Sequence, residues 1–286
     1  MNPITEVNLN RIDSNLNRVD EVRYLRYPDT AAQATAEPAT QPNIARPPMN
    51  SAATRLIAVL GAPAAGKSTL TRQVSAVTGA TVFRLREFAQ DYRRTHLAAA
   101  GAFATDDPLG WLSDDTVAML LDAAFRVPPH GLGPTVLLEN LPGNAAQLGM
   151  LLDRAAAIGG RLELVVLAAP DSVLAARART RRVCPGCERD PRGDPHRPAQ
   201  SVPHDPDRCR ACDRRLAPRR SDEPALFQAR LRRFRDRMPA IRAAAARRQV
   251  PCHPIDSTSD AAAAVTALVN LRRLAPTPTP LRSAHP

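Results

Sequence analysis

Residues 56–69 read Leu56-Ile57-Ala58-Val59-Leu60-Gly61-Ala62-Pro63-Ala64-Ala65-Gly66-Lys67-Ser68-Thr69. Five consecutive apolar residues, too few for a helix and bounded by glycine, describe a buried strand. The turn that follows closes on Gly66-Lys67-Ser68, and a helix is expected from Ser68 to Val77. A strand, the spacing G-x-x-x-x-G-K-S and a helix in that order form the context of a phosphate-binding loop. Glycines let the backbone curl so that successive N–H groups face phosphate oxygens, and the helix dipole adds to the attraction. Gly61, Ala62, Pro63, Ala64, Ala65, Gly66 and Thr69 are therefore expected to line an ATP site. Lys67 would reach the β- and γ-phosphates, and Ser68 would offer its hydroxyl to Mg²⁺.

Outward from this loop, composition sets limits. The chain has 286 residues, enough for one good-sized core plus an insertion or tails. Its formal net charge is +11, a balance that ordinarily points to nucleic acid or anionic membranes. Of its 39 basic residues, however, Lys67 is the single lysine. Abundant Ala, Pro and Arg describe a coding bias that uses arginine wherever either cation serves, so much of the charge reads as solvated surface. A lysine retained only in the loop marks a place where a compact ammonium is needed and a planar guanidinium does not fit. Aromatic residues make up 3%, few for stacking on bases, which argues against nucleic acid as a partner. No apolar run is long enough to span a bilayer. The N-terminus lacks a basic patch followed by an apolar stretch, so a cytoplasmic location is expected.

Short apolar runs alternate with helical stretches, which predicts an α/β fold with a parallel five-stranded sheet and helices on both faces. Candidate strands are Leu56–Leu60, Thr81–Phe83, Thr135–Leu138, Leu162–Leu167 and Val250–Ile255. Pro251 and Pro254 cannot donate to a ladder and place the last strand at an edge. Helices are expected over Ser68–Val77, Arg84–Ala99, Ser113–Phe125, Asn144–Ala157, Asp171–Arg182, Asp222–Arg248 and Ser259–Arg273, with Asp171 and Ser259 as N-caps. Residues 1–53, Pro/Ala-rich in their second half, read as a disordered extension with a short helix around Val7 to Tyr27, and 275–286 as a disordered tail.

From Cys184 to Leu216 the periodicity stops. Cys184-Pro-Gly-Cys187 and Cys209-Arg-Ala-Cys212 form two C-x-x-C knuckles separated by twenty-one residues, the spacing of a closed four-thiolate structural Zn²⁺ site. Metal binding would fold a segment too polar to fold alone. His196 and His204 lie between the knuckles, but four cysteines already complete a tetrahedron. Cys252 reads as a small core residue. Arginines flank the insertion: Arg177, Arg179, Arg181 and Arg182 before it, Arg219, Arg220 and Arg230 after it. Positioned cations of this kind neutralise a phosphoryl group in transfer.

The order of parts resembles the adenylate kinase family in its zinc-lid form. The loop, the strand running into Glu139-Asn140-Leu141-Pro142, the run Arg181-Arg182-Val183-Cys184 and the segment Arg219-Arg220-Ser221-Asp222-Glu223 carry the resemblance over about residues 55 to 273. It implies a P-loop NTPase core (54–274) with an acceptor-binding helical segment (84–112) and a zinc lid (183–219). It further implies transfer of the γ-phosphoryl of Mg-ATP to a nucleoside monophosphate or related small acceptor, by a monomer. Matched to the family, Arg177 would pack on the adenine, Arg181, Arg219 and Arg230 would contact phosphates with Lys67 as catalytic cations, and Gln147 would meet the acceptor base. Glu139 would hold Mg²⁺ through water. Ser68 stands where the family has glycine after the loop lysine, and the other departures fall on the acceptor side. Gly143 stands where the family has a phosphate-gripping arginine, and Arg84-Leu85-Arg86 replaces the segment bearing the other, so that Arg84 or Arg86 would have to substitute. The alternative reading is an ATP-binding switch of the same fold with weakened catalysis.

Overall fold

The computed structural model describes residue 25 and residues 53–96, 101–126, 133–187, 198–258 and 261–273. Strands β1 (Arg55–Gly61), β2 (Thr81–Arg84), β3 (Thr135–Glu139), β4 (Arg161–Ala168) and β9 (Cys252–Asp256) form a five-stranded sheet in the order β2-β3-β1-β4-β9. Every pairing is parallel. β1, β2 and β3 are buried throughout, as strands covered on both faces must be. Alternation then sends Ile57, Val59, Val82, Leu137, Val165 and Leu167 to one face, and Leu56, Ala58, Phe83, Leu138 and Leu164 to the other.

Among the described residues, seven helices connect and cover the strands: α1 (Lys67–Thr78), α2 (Leu85–Thr95), α3 (Asp114–Ala124), α4 (Ala145–Ala157), α5 (Asp171–Thr180), α6 (Pro224–Arg247) and α7 (Ala261–Arg273). On the Ile57 face pack Leu70 and Val74 of α1, Leu174 of α5 and Val265 and Leu268 of α7. The opposite face is covered by Phe88 of α2, Leu120 and Leu121 of α3, and Leu148 and Leu151 of α4. The long α6 serves both cores, with Phe227 and Leu231 in one and Met238 and Ile241 in the other. Thus β1 and its neighbour β3 send their following helices to opposite faces. That divergence opens a crevice at the carboxyl ends of the two strands, the place where open α/β sheets hold ligands.

Strands β1 to β4 fall where the apolar runs predict them, and β9 lies at the edge that its prolines require. Helix ends differ in instructive ways. Asp171 is the first helical residue of α5 and Pro170 precedes it as N-cap, so the carboxylate acts on the helix dipole rather than as a cap. α5 stops at Thr180, because Arg182 and Val183 are drawn into a short strand, β5. α6 starts at Pro224, which suits a first turn, after a 3₁₀ turn at Arg220–Asp222. Glu223 caps it by accepting from the Leu226 amide. Between α5 and α6 the insertion carries β5 (Arg182–Val183), β6 (Ser201–Val202), β7 (Asp205–Cys209) and β8 (Ala217–Pro218). β5 pairs with β8, and β6 with β7, both antiparallel. These strands escape sequence reading because backbone pairing, not apolar patterning, holds them.

Of the first fifty residues, Leu25 is the one described. It packs against the core, and its amide donates to Val82 O at 2.9 Å. The helix expected around it, the Ser259 cap, His196 and the C-terminal tail lie outside the described residues.

Candidate functional site

β1 delivers the chain to the crevice at Gly61. A Cβ at this position would stand 3.1 Å from Leu167 Cβ and 3.2 Å from Ala65 Cβ, so a side chain here would crowd the loop against β4. Ala64 (φ 63°) and Gly66 (φ 91°) adopt left-handed backbone, and Ala65 N donates to Ala62 O at 3.1 Å. α1 then begins at Lys67 with no side chain capping its first amides and no acidic residue in its first turn. Its positive end therefore opens on the crevice with no side chain accepting from the cap.

Lys67 folds over this end. Its Nζ donates to Gly61 O (2.8 Å) and Ala62 O (2.9 Å). The residue keeps some exposed surface, but its ammonium is enclosed. Burial, reinforced by the positive charges of Arg230, Arg181 and Arg219 against the opposing pull of Glu139, lowers its pKa from 10.5 to about 7. Four cations thus converge on one helix N-terminus. The three arginines come from the two sides of the insertion and are held there by the chain. Arg181 makes a two-pronged ion pair with Asp222 (2.6 and 2.5 Å), tying the end of α5 to the turn before α6. Arg230 Nη1 donates to Ser221 O at 3.1 Å, and Arg219 is buried. Arg177 is anchored differently, donating to Ser257 O at 2.6 Å beyond β9.

Beneath the loop sits Glu139, the last residue of β3 and buried. It accepts from the Ser68 hydroxyl, from Thr71 Oγ1 (3.1 Å) and from Arg84 Nε (2.9 Å). Arg84 ends β2 directly opposite Glu139 in the register, which explains the pairing, and also donates to Glu87 at 2.8 Å. Arg84 and Glu139 therefore meet each other under the loop. Arg86 is exposed on α2.

Gln147, expected to meet the acceptor base, lines a cavity of about 490 Å³ shared with Asp106, Asp107, Trp111, Asp114, Asn144 and Arg237. Asn144 caps α4 by accepting from Gln147 N (2.9 Å), and its amide donates to both oxygens of Asp114 (2.9 and 3.1 Å). Gln147 donates to Asp114 at 2.8 Å and accepts from Gly143 N at 2.7 Å. Trp111 packs over Gly143, where a Cβ would come within 2.6 Å of the indole. Arg237 lies over that ring at 4.5 Å and Arg233 at 5.1 Å, both projecting from α6. Arg233 is also tied to both oxygens of Asp107 (2.8 and 2.7 Å), and that hydrogen-bonded pairing lowers the Asp107 pKa. The glycine at 143 is thus a packing requirement of Trp111. Sequence reasoning missed Trp111, Asp114, Arg233 and Arg237. The signal available was the chain's only tryptophan in a loop of Asp, Pro and Gly, where a core role is not expected.

The insertion gathers Cys184, Cys187, Cys209 and Cys212, with all four sulfurs within 4.8 Å of one another. Separations of 3.3 Å (Cys184–Cys212), 3.4 Å (Cys187–Cys212) and 3.7 Å (Cys187–Cys209) fit a tetrahedron. Four thiolates about 2.3 Å from one zinc ion stand about 3.8 Å apart. Cys184, Cys209 and Leu216, with Ala199 against them, are the segment's whole apolar cluster among the described residues. Desolvation and the three neighbouring thiols push the Cys187 thiol up, so ionising the set calls for a cation. The cluster could hold a metal such as zinc. Cys252 is exposed, not part of the core.

No protein-family model matches this chain, and no curated protein matches it in sequence. Among the described residues, no helix is long and apolar enough to cross a membrane.

Proposed function

We propose that the protein binds Mg-ATP on the 61–69 loop of a P-loop core and transfers the terminal phosphoryl group to a small acceptor. The observation that carries this reading is the convergence of Lys67, Arg181, Arg219 and Arg230 on the uncapped start of α1. Burial, with the charges of Arg230, Arg181 and Arg219 beside it, depresses the Lys67 pKa to about 7, an arrangement that a bound polyanion relieves. The adenylate-kinase-like order of loop, flanking arginines and thiolate insertion supports the same assignment.

The roles follow from position. Loop amides and the α1 dipole hold the phosphate chain, and Lys67 exchanges its carbonyl partners for phosphate oxygens. Arg181, Arg219 and Arg230 neutralise the charge that spreads over the equatorial oxygens of the transferring group. Most of the rate enhancement is then positioning and electrostatics. The Ser68 hydroxyl and, through water, the Glu139 carboxylate supply oxygen donors of the kind magnesium prefers, and a bound ion would offset charge between the β- and γ-phosphates. Removal of Lys67 takes away a cation without opening the core. Lys67→Met should unfold no earlier than wild type, since it removes a buried charge that opposes folding, and lose at least a hundredfold in ATP-dependent phosphorylation of its acceptor. A variant that still turns over at the wild-type rate would sink the mechanism.

The second reading, a switch protein that binds ATP without turnover, draws on Trp111 occupying the place over Gly143. ATP binding without product from any acceptor would favour it.

A further inference from the structure

The cavity beside the loop carries an inference about the acceptor, which rests on the phosphotransferase reading above. Asn144 and Gln147 lie five and eight residues past Glu139, so the cavity opens from the same carboxyl edge of the sheet as the nucleotide site. Its volume of about 490 Å³ falls in the range of small-molecule sites, roughly 300–1,000 Å³.

Its chemistry is that of a hydrogen-bond acceptor. The side-chain amides of Asn144 and Gln147 both turn a donor toward Asp114, and Arg233 is committed to Asp107. Arg237 lies over Trp111, 4.5 Å from the ring centroid, and its Nη1 donates to Gly143 O at 3.4 Å. Asp106, which is exposed, lines the space together with Asp114 and Trp111. Three carboxylates, Asp106, Asp107 and Asp114, against the one lining guanidinium of Arg237 do not make a place for a phosphate dianion. A phosphate oxygen brought here would meet carboxylate oxygens, acceptor against acceptor. Hydroxyl and ammonium groups, which donate, complement the same surface.

We propose that the acceptor is a phosphate-free molecule bearing several hydroxyl or amino groups, bound through Asp106 and Asp114, and not a nucleoside monophosphate. One of its hydroxyl oxygens attacks the γ-phosphorus, the bond from that phosphorus to the β–γ bridging oxygen breaks with its electron pair on the departing diphosphate, and the hydroxyl proton is released to water. Products are a phosphomonoester and ADP.

The test uses the full chain with Mg-ATP against hexoses, aminocyclitols, nucleosides and the four common ribonucleoside monophosphates, reading ADP release and phosphomonoester formation by phosphorus NMR. The expected result is product from a phosphate-free class and none from the monophosphates, with the productive class separating sugar, amino and nucleoside acceptors. Asp106→Asn, at an exposed position, should raise the acceptor KM about tenfold, as for a lost hydrogen bond to a charged group, with the ATP KM unchanged. Turnover of monophosphates, or an unchanged acceptor KM in Asp106→Asn, overturns this inference and leaves phosphotransfer standing. ATP binding with no acceptor consumed overturns phosphotransfer and this inference with it.

Discussion

A lysine whose pKa falls to about 7 holds fewer protons in the folded chain than in the unfolded one between about pH 7 and 10.5. Its contribution to stability therefore rises with pH across that window, and below it the charged ammonium opposes folding. A bound triphosphate reverses the balance by favouring the charged form. Near pH 8, nucleotide binding should take up a proton, close to one per site, and affinity should weaken as pH rises further. Calorimetry in buffers of different ionisation enthalpy measures the uptake directly. No buffer dependence at pH 8 would mean that Lys67 is already protonated in the free protein. The loop was the most legible part of the sequence, because strand, glycines and a sole lysine agree on one geometry. The pKa was not legible, since it arises from arginines up to 163 positions away that the fold brings to the same helix end.

At the scale of elements, the insertion and α6 behave oppositely. Cysteine spacing announced the thiolate cluster, because metal geometry is local to two knuckles. The cavity stayed hidden because it is assembled from three distant segments, 104–114, 144–147 and Arg237, none of which carries a pattern alone. Gly143 shows the limit well: in sequence it is a missing arginine, in the fold it is the seat of Trp111. The insertion's own apolar cluster is so small that metal removal should undo it. Chelation, with metal content measured before and after, should abolish hydrogen-exchange protection of β6 and β7 while β1, β3 and β4 keep theirs. Protection of β7 that survives verified metal loss would show that the backbone pairing suffices.

For the whole molecule, the two ends of the sheet divide labour. At the amino ends of the strands Arg55 grips Glu163 in a buried, two-pronged pair (2.8 Å to each oxygen), with Arg161 at 3.4 Å and His253 at 3.5 Å from the same carboxylate. Glu163→Ala leaves a guanidinium buried without its carboxylate and should cost about 3–5 kcal/mol in urea unfolding, with nucleotide affinity unchanged because the crevice lies at the other end. A weakened affinity would mean the two ends are coupled through β4. The insertion hangs from the crevice end by the two-residue ladder of Arg182 and Val183 with Pro218 and Ala217. Its two ends therefore leave the body one strand spacing apart, about 5 Å. A segment so attached is an exchangeable cassette: a short turn or a longer module could replace it without shifting any strand of the sheet. Its size and metal chemistry are free to vary while Arg181 and Asp222, just outside the neck, keep their grip.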